Sequence, residues 1–269
     1  MAVFTELSDE DRDSITEAYG VTPLLSVIGI ADGDRETTYL FRSKDSEYIV
    51  TLFENGASAV DLERAFQTME WLYDQGIPCP KPLRTEAGKA TLDLAGRLIA
   101  VVSFVSGLST SDPTPARCRS LGRLMAQIHA LLQSPGDQRR GELPTGAVHG
   151  ALLKPNVFFL GDAIAGVINF RLRHDDALVA EVADALSEWA CDPDGSLSSE
   201  RVRAILDGYQ SVRTLQPNET AALPGFFMAS TARRLANNQF LSALPGSGLA
   251  AYEALAKELL AIADKGGVT

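Results

Sequence analysis

The stretch that decides the fold is Val148–Phe170, VHGALLKPNVFFLGDAIAGVINF. Its first part contains Gly150, Lys154-Pro155 and Asn156, which indicates a short loop. The remainder, Val157–Phe170, is rich in β-branched and aromatic residues and predicts a β-hairpin. Taken alone, the stretch is typical of a core hairpin in which His149 is a packed, hydrogen-bonded histidine.

The spacing of the polar residues in this stretch resembles the active-site region of kinases of the aminoglycoside phosphotransferase and homoserine kinase type. Those kinases have His-Gly-Asp, four further residues and Asn, followed by a hairpin that ends in Ile-Asp-Phe. This sequence has His149 and Asn156 at the matching positions. It has Ala151 in place of the first Asp and Asn169 in place of the second. The layout is that of a kinase, but both carboxylates are missing.

The resemblance covers roughly residues 1–240 and is strongest with bacterial homoserine kinases. Segments outside the hairpin share it: MAVFTELSDED at the start, Gly29–Gly33, Thr51–Glu54, Gly76–Pro80 and Gly208–Arg213. It implies an α+β, two-lobed, protein-kinase-like (aminoglycoside phosphotransferase-like) fold. We expect a small antiparallel β lobe over residues 1–104, of the nucleotide-binding type, and a larger, mainly helical lobe over 105–269.

The pattern of apolar residues predicts the same division. In the first lobe it predicts helices at Asp9–Tyr19 and Val60–Gln75 and strands at Leu24–Ile30, Thr37–Ser43, Tyr48–Glu54 and Leu98–Val105. Residues Ser106–Pro115 are rich in Ser, Thr, Gly and Pro and predict a linker. Beyond it, helices are predicted at Cys118–Leu132, Ala177–Trp189, Glu200–Gly208, Glu219–Leu241 and Leu249–Ala263.

The resemblance also implies roles for single residues. Position 151 is that of the general base, and the loss of such a base typically costs about 10²–10⁴-fold in rate. Asn156 and Asn169 occupy the metal-binding positions, where Mg²⁺ prefers anionic oxygens. The nucleotide-binding positions are Gly29, Gly33, Thr51, Phe104 and Val105.

Several departures from the family pattern accompany the two lost carboxylates. Thr38 stands where the family carries Asn, and Arg171–Asp175 replace a run of aromatic and small residues. Glu181 stands where the family has an Asp that braces the site. The interval between His129 and His149 is shorter than in the active enzymes, where it carries helices of the substrate pocket.

Composition excludes some functions. The net charge of −11 opposes nucleic-acid binding, which needs basic surface. No apolar run is long enough to span a bilayer and the N-terminus has no signal-peptide pattern, so we expect a cytoplasmic protein without a membrane partner. Cys79, Cys118 and Cys191 are too far apart for a disulfide or metal framework and are predicted to be packed thiols.

The other polar residues have plain structural interpretations. His129 is predicted to be a packed histidine. Glu181, Asp184 and Glu188 have helical spacing and are predicted to form an exposed face or salt bridges. His174, Asp175 and Asp176 are predicted to form a solvated turn. Surface positions are predicted for most of four arginines that are also candidates for phosphate contact: Arg201, Arg203, Arg233 and Arg234.

Three functions remain open at this point. The first is a homoserine-kinase-like pseudoenzyme with a regulatory, scaffold or ligand-binding role, whose partner is an unknown protein or a small molecule. It would bind ATP and Mg²⁺ weakly or not at all. The second is an active ATP-dependent phosphotransferase for homoserine or another small amino alcohol, with metal ligands rearranged to Asp162, Asp175 or Asp176. The third is a different reaction that uses His149 or Lys154.

Overall fold

The structure is a computed structural model. It describes residues 5–30, 36–54, 57–133, 142–170, 173–192 and 196–236, together with six helical residues between 253 and 261. The chain divides into two units, Met1–Val105 and Ser106–Thr269. Among the helices in this described part, none is both long and apolar enough to cross a lipid bilayer.

The first unit contains one antiparallel sheet and two helices. The helices are α1 (Asp9–Tyr19) and α2 (Ala59–Asp74), and the strands are β1 (Leu24–Ile30), β2 (Glu36–Ser43), β3 (Glu47–Phe53), β4 (Thr91–Leu94) and β5 (Arg97–Ser103). The sheet order is β1-β2-β3-β5-β4. The predicted strands and helices of this unit are present within one or two residues. β4 was not predicted, because four residues of a short hairpin give too little alternation to detect.

The core of the first unit lies between the sheet and α1. Buried side chains from both elements meet there, including Ile15, Tyr19, Phe41 and Val101. The hydroxyl of Tyr19 donates to the carbonyls of Ala90 and Ile99 at 3.0 and 2.9 Å, so this polar atom is satisfied within the core.

The second unit is mainly helical. Its helices are α3 (Pro115–Leu132), α4 (Leu178–Trp189), α5 (Ser199–Gln210) and α6 (Pro217–Ala236). Two strand pairs accompany them: β6 (Thr145–Val148) with β9 (Arg173–Ala177), and β7 (Val157–Leu160) with β8 (Ala163–Val167). The β7–β8 pair is the predicted hairpin, and it ends at Val167 rather than at Phe170. Most of the predicted helix at Leu249–Ala263 and the end of the one at Glu219–Leu241 lie outside the described residues.

Helices α3 and α5 touch backbone to backbone. A Cβ atom on Gly122 would overlap the carbonyl oxygen of Ile205, and one on Gly208 would overlap the carbonyl oxygen of Arg119. Both positions therefore require glycine. This close crossing places His129 on α3 beside Tyr209 on α5, with the two ring centroids 5.6 Å apart.

Candidate functional site

The candidate site is built on the loop that follows β6, residues 149–153. Gly150 has φ +82°, in the left-handed region that favours glycine. After the loop, a 3₁₀ turn at Lys154–Asn156 leads directly into β7. The chain therefore reverses within a few residues, and the polar groups of the loop are brought against α4.

Three side chains of α4 hold this loop by its backbone. Glu181 accepts hydrogen bonds from the N–H groups of His149 and Gly150 at 3.3 and 2.6 Å. Two turns further along the helix, Glu188 accepts from the Lys154 N–H at 3.0 Å and Trp189 donates its indole N–H to the Leu152 carbonyl at 2.8 Å. These bonds satisfy buried backbone groups and fix the loop on one face of α4.

A buried chain of polar side chains supports Glu181. His129 Nε2 lies 2.8 Å from Glu181 Oε2, and His129 Nδ1 lies 2.8 Å from the hydroxyl of Tyr209. Arg213 donates to the same hydroxyl and to Glu219, both at 3.0 Å. A neutral His129 with its proton on Nε2 satisfies every atom of this chain. These hydrogen bonds connect the start of α6 with the loop.

The carboxylate of Glu181 is saturated with donors. Burial acts to raise the pKa of Glu181, but the hydrogen bonds that its carboxylate accepts from His129 and Gly150 hold this pKa below its usual value. Glu181 is therefore an anion that positions the loop and not a ready proton acceptor. Its placement agrees with the bracing role that the resemblance implies.

His149 is completely buried and neutral. Its Nδ1 accepts a hydrogen bond from the Ala151 N–H at 3.1 Å, and its ring packs on Phe170 with a centroid distance of 4.1 Å. Burial lowers the pKa of His149 to about 4, against the opposing effects of Glu181 and of the Ile168 backbone. A ring enclosed in this way holds the loop and cannot approach a ligand. This burial gives no support to His149 as the acting group of a different reaction, and that role stays a prediction.

The three remaining family positions form one hydrogen-bonded unit. Asn156 Nδ2 donates to the Ala151 carbonyl at 2.9 Å, which turns Asn156 Oδ1 away from that carbonyl. Asn169 Nδ2 then donates to this Oδ1 at 3.3 Å. Asn169 has φ +68°, a conformation that Asn adopts more readily than most residues. The two side chains therefore join the loop to the end of the hairpin by a direct hydrogen bond.

These residues do not fit a magnesium site. Mg²⁺ prefers anionic oxygens in octahedral geometry, whereas Asn156 and Asn169 supply neutral amides and one of their two oxygens already accepts a hydrogen bond. Within the described residues there is also no group of three or more His, Cys, Asp or Glu side chains able to hold a metal.

The structure separates the proposed replacement ligands from this unit. Asp162 follows the turn of the hairpin, whose register pairs Leu160 with Ala163 at that end and Val157 with Val167 at the other. Four residues of strand, about 13 Å at 3.3 Å per residue, therefore separate Asp162 from Asn156. Asp162 pairs with Arg117 at 3.8 Å instead. The side chain of Asp175 lies outside the described residues, and Asp176 accepts a hydrogen bond from the neighbouring Ala177 N–H.

The predicted nucleotide-binding residues belong to the first unit, and their role stays a prediction. Gly29 lies near the end of β1, opposite Tyr39, and Gly33 lies outside the described residues. Thr51 is half-buried in β3 between Thr38 and Ala100. Phe104 donates its N–H to the Glu47 carbonyl at 3.0 Å, and Phe104 and Val105 follow the last strand.

Several polar residues that were predicted to be exposed are buried. Glu181 and Glu188 are 2% and 6% exposed, so they do not form an exposed face, whereas the other predicted alternative, ion pairing, is present at Glu188–Arg234 and Asp184–Arg233. Arg201 is also buried and pairs with Asp192, whereas surface positions were predicted for most of the four arginines. Helical spacing alone does not show that the neighbouring loop supplies N–H donors to these carboxylates.

Other predictions hold. His129 is packed and fully buried. Cys79, Cys118 and Cys191 are free, buried thiols, and burial raises the pKa of each to about 12. Lys154 is buried beside Glu188, and burial lowers its pKa while Glu188 opposes that effect. The role of Lys154 as the acting group of a different reaction stays a prediction.

Comparison with known proteins identifies the family to which the chain belongs. Residues 26–143 match the phosphotransferase enzyme family. Homoserine kinase of Methylobacterium radiotolerans is 34% identical over 266 residues, which cover 83% of each chain, and homoserine kinase of Parvibaculum lavamentivorans is 32% identical over 277 residues. The chain belongs to the homoserine kinase family. The resemblance of the chain to homoserine kinases is thereby confirmed.

Solved structures show that this chain has the predicted fold. An aminoglycoside phosphotransferase from Alicyclobacillus acidocaldarius matches 98% of this chain and 94% of its own, with a TM-score of 0.66 at 12% identity. A microcompartment-associated aminopropanol kinase matches 94% of this chain and 95% of its own, with a TM-score of 0.63 at 17% identity. These likenesses confirm the aminoglycoside phosphotransferase-like kinase fold.

Two parts of the site were not predicted. One is the link from Tyr209 to Glu181 through His129, whose residues lie far apart in sequence. The other is the cavity beside the loop, to which α6 contributes Ser230, Arg233 and Arg234. The sequence signal for the first was the quoted segment Gly208–Arg213, which contains both the tyrosine and the arginine of the buried chain.

Proposed function

We propose that this homoserine-kinase-like chain is a pseudoenzyme that binds a small ligand beside residues 149–153 and does not transfer phosphate. The observation that carries the proposal is the direct Asn169–Asn156 hydrogen bond next to Ala151. In the family pattern these positions carry the metal ligands and the base. Here they hold two amides bonded to each other and a methyl group.

Two carboxylates near Ala151, in the part of the chain that the structure describes, already have partners. Glu181 accepts three hydrogen bonds, and Asp184 is ion-paired with Arg233 at 2.9 Å. Phosphoryl transfer depends on metal ions that neutralise the developing charge and on a group that orients the acceptor hydroxyl. The two losses affect different steps, so each should lower turnover independently.

One observation favours the alternative, an active ATP-dependent phosphotransferase with rearranged groups. The loop is anchored through Glu181, Glu188 and Trp189 in full, as a working site requires. Loose phosphoryl-transfer transition states also depend less on a strong base than on the metal. The same anchoring holds a binding loop equally well.

A revertant experiment separates the two functions. We would measure Mg·ATP binding by calorimetry and phosphate transfer to homoserine, for the natural chain and for an Ala151→Asp, Asn169→Asp double variant. We expect neither Mg²⁺-dependent binding nor transfer for the natural chain, and recovered Mg·ATP binding for the double variant. Adding Asn156→Ala to the double variant should abolish the gain, since it removes the remaining metal oxygen.

The proposal would be overturned by transfer in the natural chain that is well above background and is lost on Asn156→Ala. That result would establish the active alternative. If only the double variant binds Mg·ATP, the proposal is supported, because restoring the two charges is then sufficient to restore the metal.

A further inference from the structure

The sheet of the first unit has two edge strands, and they differ in how well they are guarded. One edge is β4, which has four residues, includes Asp93 and is contacted by both α1 and α2. The other edge is β1, whose seven residues LLSVIGI include no charged residue and no proline. Short length, charges, prolines and covering helices are the usual means by which proteins keep an edge strand from pairing with another chain. The β1 edge therefore lacks protection that the β4 edge has.

The free side of β1 is open. In the part of the chain that the structure describes, β1 has a strand neighbour on one side only, which is β2. Alternate residues of an antiparallel strand direct their N–H and C=O groups away from that neighbour. Leu25 and Ile28 are 66% and 45% exposed, and Gly29 is exposed as well. The edge thus combines backbone groups able to pair with a further strand and apolar side chains able to pack on it.

The register with β2 identifies the part of β1 that is suited to pairing. A bulge interrupts the register between Leu24 and Ser26, and from Ser26 to Ile30 the register is regular. The midpoint of this regular segment is Ile28. Its neighbour Val27 packs on the core of the first unit, so Ile28 lies on the opposite face of the sheet. Ser26 and Ile30 alternate onto the same face as Ile28.

A two-fold axis through Ile28 makes this segment complementary to its own copy. In an antiparallel pair related by such an axis, Ile28 faces Ile28 of the second copy. Ser26 then faces Ile30 of the second copy, and Val27 faces Gly29. Directly opposite residues of antiparallel strands have their side chains on the same face of the sheet. This register meets that condition at every pair, and it places the exposed Ile28 side chains against each other.

Charge also favours this edge as the place where two copies meet. The chain has a net charge of −11, so two copies repel each other wherever acidic surfaces approach. The exposed side of α1 is such a surface, since Asp9, Glu10, Asp13 and Glu17 are exposed there. Pairing along β1 brings no charged side chain of the strand into contact, and it therefore avoids this repulsion.

We propose that β1 is a dimerisation edge for a second copy of this chain. The two β1 strands pair antiparallel about a two-fold axis at Ile28, which joins two five-stranded sheets into one continuous sheet. The inference is independent of the proposed function, since it uses residues of the first unit alone. The paired segment is short and buries less than the roughly 800 Å² per partner of a standard interface, so the dimer should be weak and depend on concentration.

Cysteine cross-linking of the full chain tests the position of the axis. The two copies of residue 28 would have Cα atoms about 4.5–5.5 Å apart, which a disulfide can span. Ile28→Cys should therefore form an intermolecular disulfide on mild oxidation. The three native cysteines are free and buried, so the natural chain should show little cross-linking under the same conditions.

Ser26→Cys is the matched control for this experiment. It lies on the same face of the same strand, but its two copies would be more than about 13 Å apart, at about 3.4 Å per residue. Ser26→Cys alone should therefore not cross-link. A mixture of Ser26→Cys with Ile30→Cys should form the mixed disulfide dimer, because these two residues face each other across the proposed junction.

Sedimentation measures the association without a covalent bond. Between about 1 µM and about 1 mM, we expect the apparent mass of the natural chain to rise with concentration. Ile28→Lys should stay monomeric over this range, because like charges would meet directly at the axis. Leu160→Lys is the control, since Leu160 is also an exposed apolar strand residue but belongs to the second unit. It should associate as the natural chain does, and both variants should keep its melting temperature because both side chains are exposed.

Three results would each overturn the inference. The first is a natural chain that stays monomeric at about 1 mM. The second is equal cross-linking of Ser26→Cys and Ile28→Cys, and the third is association that Leu160→Lys abolishes and Ile28→Lys does not. Concentration-dependent association, with cross-linking at residue 28 and in the mixture, supports it. None of these measurements involves nucleotide or phosphate transfer, so the proposed function is decided separately.

Discussion

Asn169 donates a hydrogen bond to Oδ1 of Asn156 over 3.3 Å, and Asn156 in turn donates to the Ala151 carbonyl. The second bond fixes which atom of the Asn156 amide is oxygen. Because Asn156 Oδ1 is an acceptor, the hydrogen bond from Asn169 requires that Asn169 faces it with its Nδ2 donor. The orientation of both amides follows from the loop backbone, and with it the absence of a charged oxygen pair at this position.

Asn169→Asp should therefore make the chain sensitive to magnesium. Two oxygens would face each other in place of a donor and an acceptor, which we expect to cost about 1–3 kcal/mol of stability without a cation. Added Mg²⁺ should raise the melting temperature of this variant and leave that of the natural chain unchanged. Asn169→Gly is the control, since glycine accepts the positive φ but supplies no ligand. A magnesium response in the natural chain would contradict the prediction.

Glu181→Gln should strongly destabilise the second unit. Glutamine replaces one carboxylate oxygen by an N–H₂ donor that would face the donors of His129, His149 or Gly150. Breaking a buried charged network typically costs about 3–5 kcal/mol, and we expect a loss of about that size in urea unfolding. Asp184→Asn, on the same helix at a more exposed ion pair, should cost less than about 1 kcal/mol. Similar losses for the two variants would rule out the bracing role.

The stability of the chain should fall with acid in a window set by His149. Its pKa is about 4 in the folded chain, below the value of about 6.5 in the unfolded chain, so unfolding takes up a proton between these values. The free energy of unfolding is therefore highest above pH 6.5 and should drop by about 2 kcal/mol between pH 6.5 and pH 5. The lowered pKa of Glu181 adds a further loss at still lower pH.

Urea midpoints measured across this range would check the window. His149→Asn keeps an acceptor for the Ala151 N–H and removes the titrating ring. The slope between pH 6.5 and pH 5 should be smaller in this variant. An unchanged slope would show that other groups cause the acid sensitivity.

Gly208→Ala should be among the most damaging single-methyl additions in the chain. The new Cβ would overlap the Arg119 carbonyl at the crossing of α3 and α5, and overpacking of this kind typically costs about 1–3 kcal/mol or more. Gly225→Ala on α6 is the matched control, because nothing lies within 4 Å of its added Cβ. There alanine should stabilise the helix by up to about 1 kcal/mol. Thermal unfolding of both variants would measure the difference.

The fold was largely predictable from the sequence. The turn residues and apolar alternation around β1–β3 located those strands, and Ser8 and Gly76 marked the start of α1 and the end of α2. The layout of the site was also available from the spacing of His149, Asn156 and Asn169. These signals are local, so a single sequence carries them.

The burial of the polar residues was not predictable in the same way. Glu181, Glu188 and Arg201 have the spacing of a solvated helix face, and only the packed structure shows which donors they meet. Those donors are backbone N–H groups of a distant loop and a histidine from another helix. Periodicity reports which residues share a face of a helix, but it does not report what lies opposite that face.

A series of buried hydrogen bonds runs from Arg213 through Tyr209, His129 and Glu181 to Gly150. In the arrangement that satisfies every atom, the hydroxyl of Tyr209 turns towards His129 and the imidazole turns its proton towards Glu181. Any disturbance at either end changes the electron distribution in the same imidazole ring. The ¹⁵N resonances of His129 should therefore act as a single spectroscopic probe for both the loop at residues 149–153 and the start of α6.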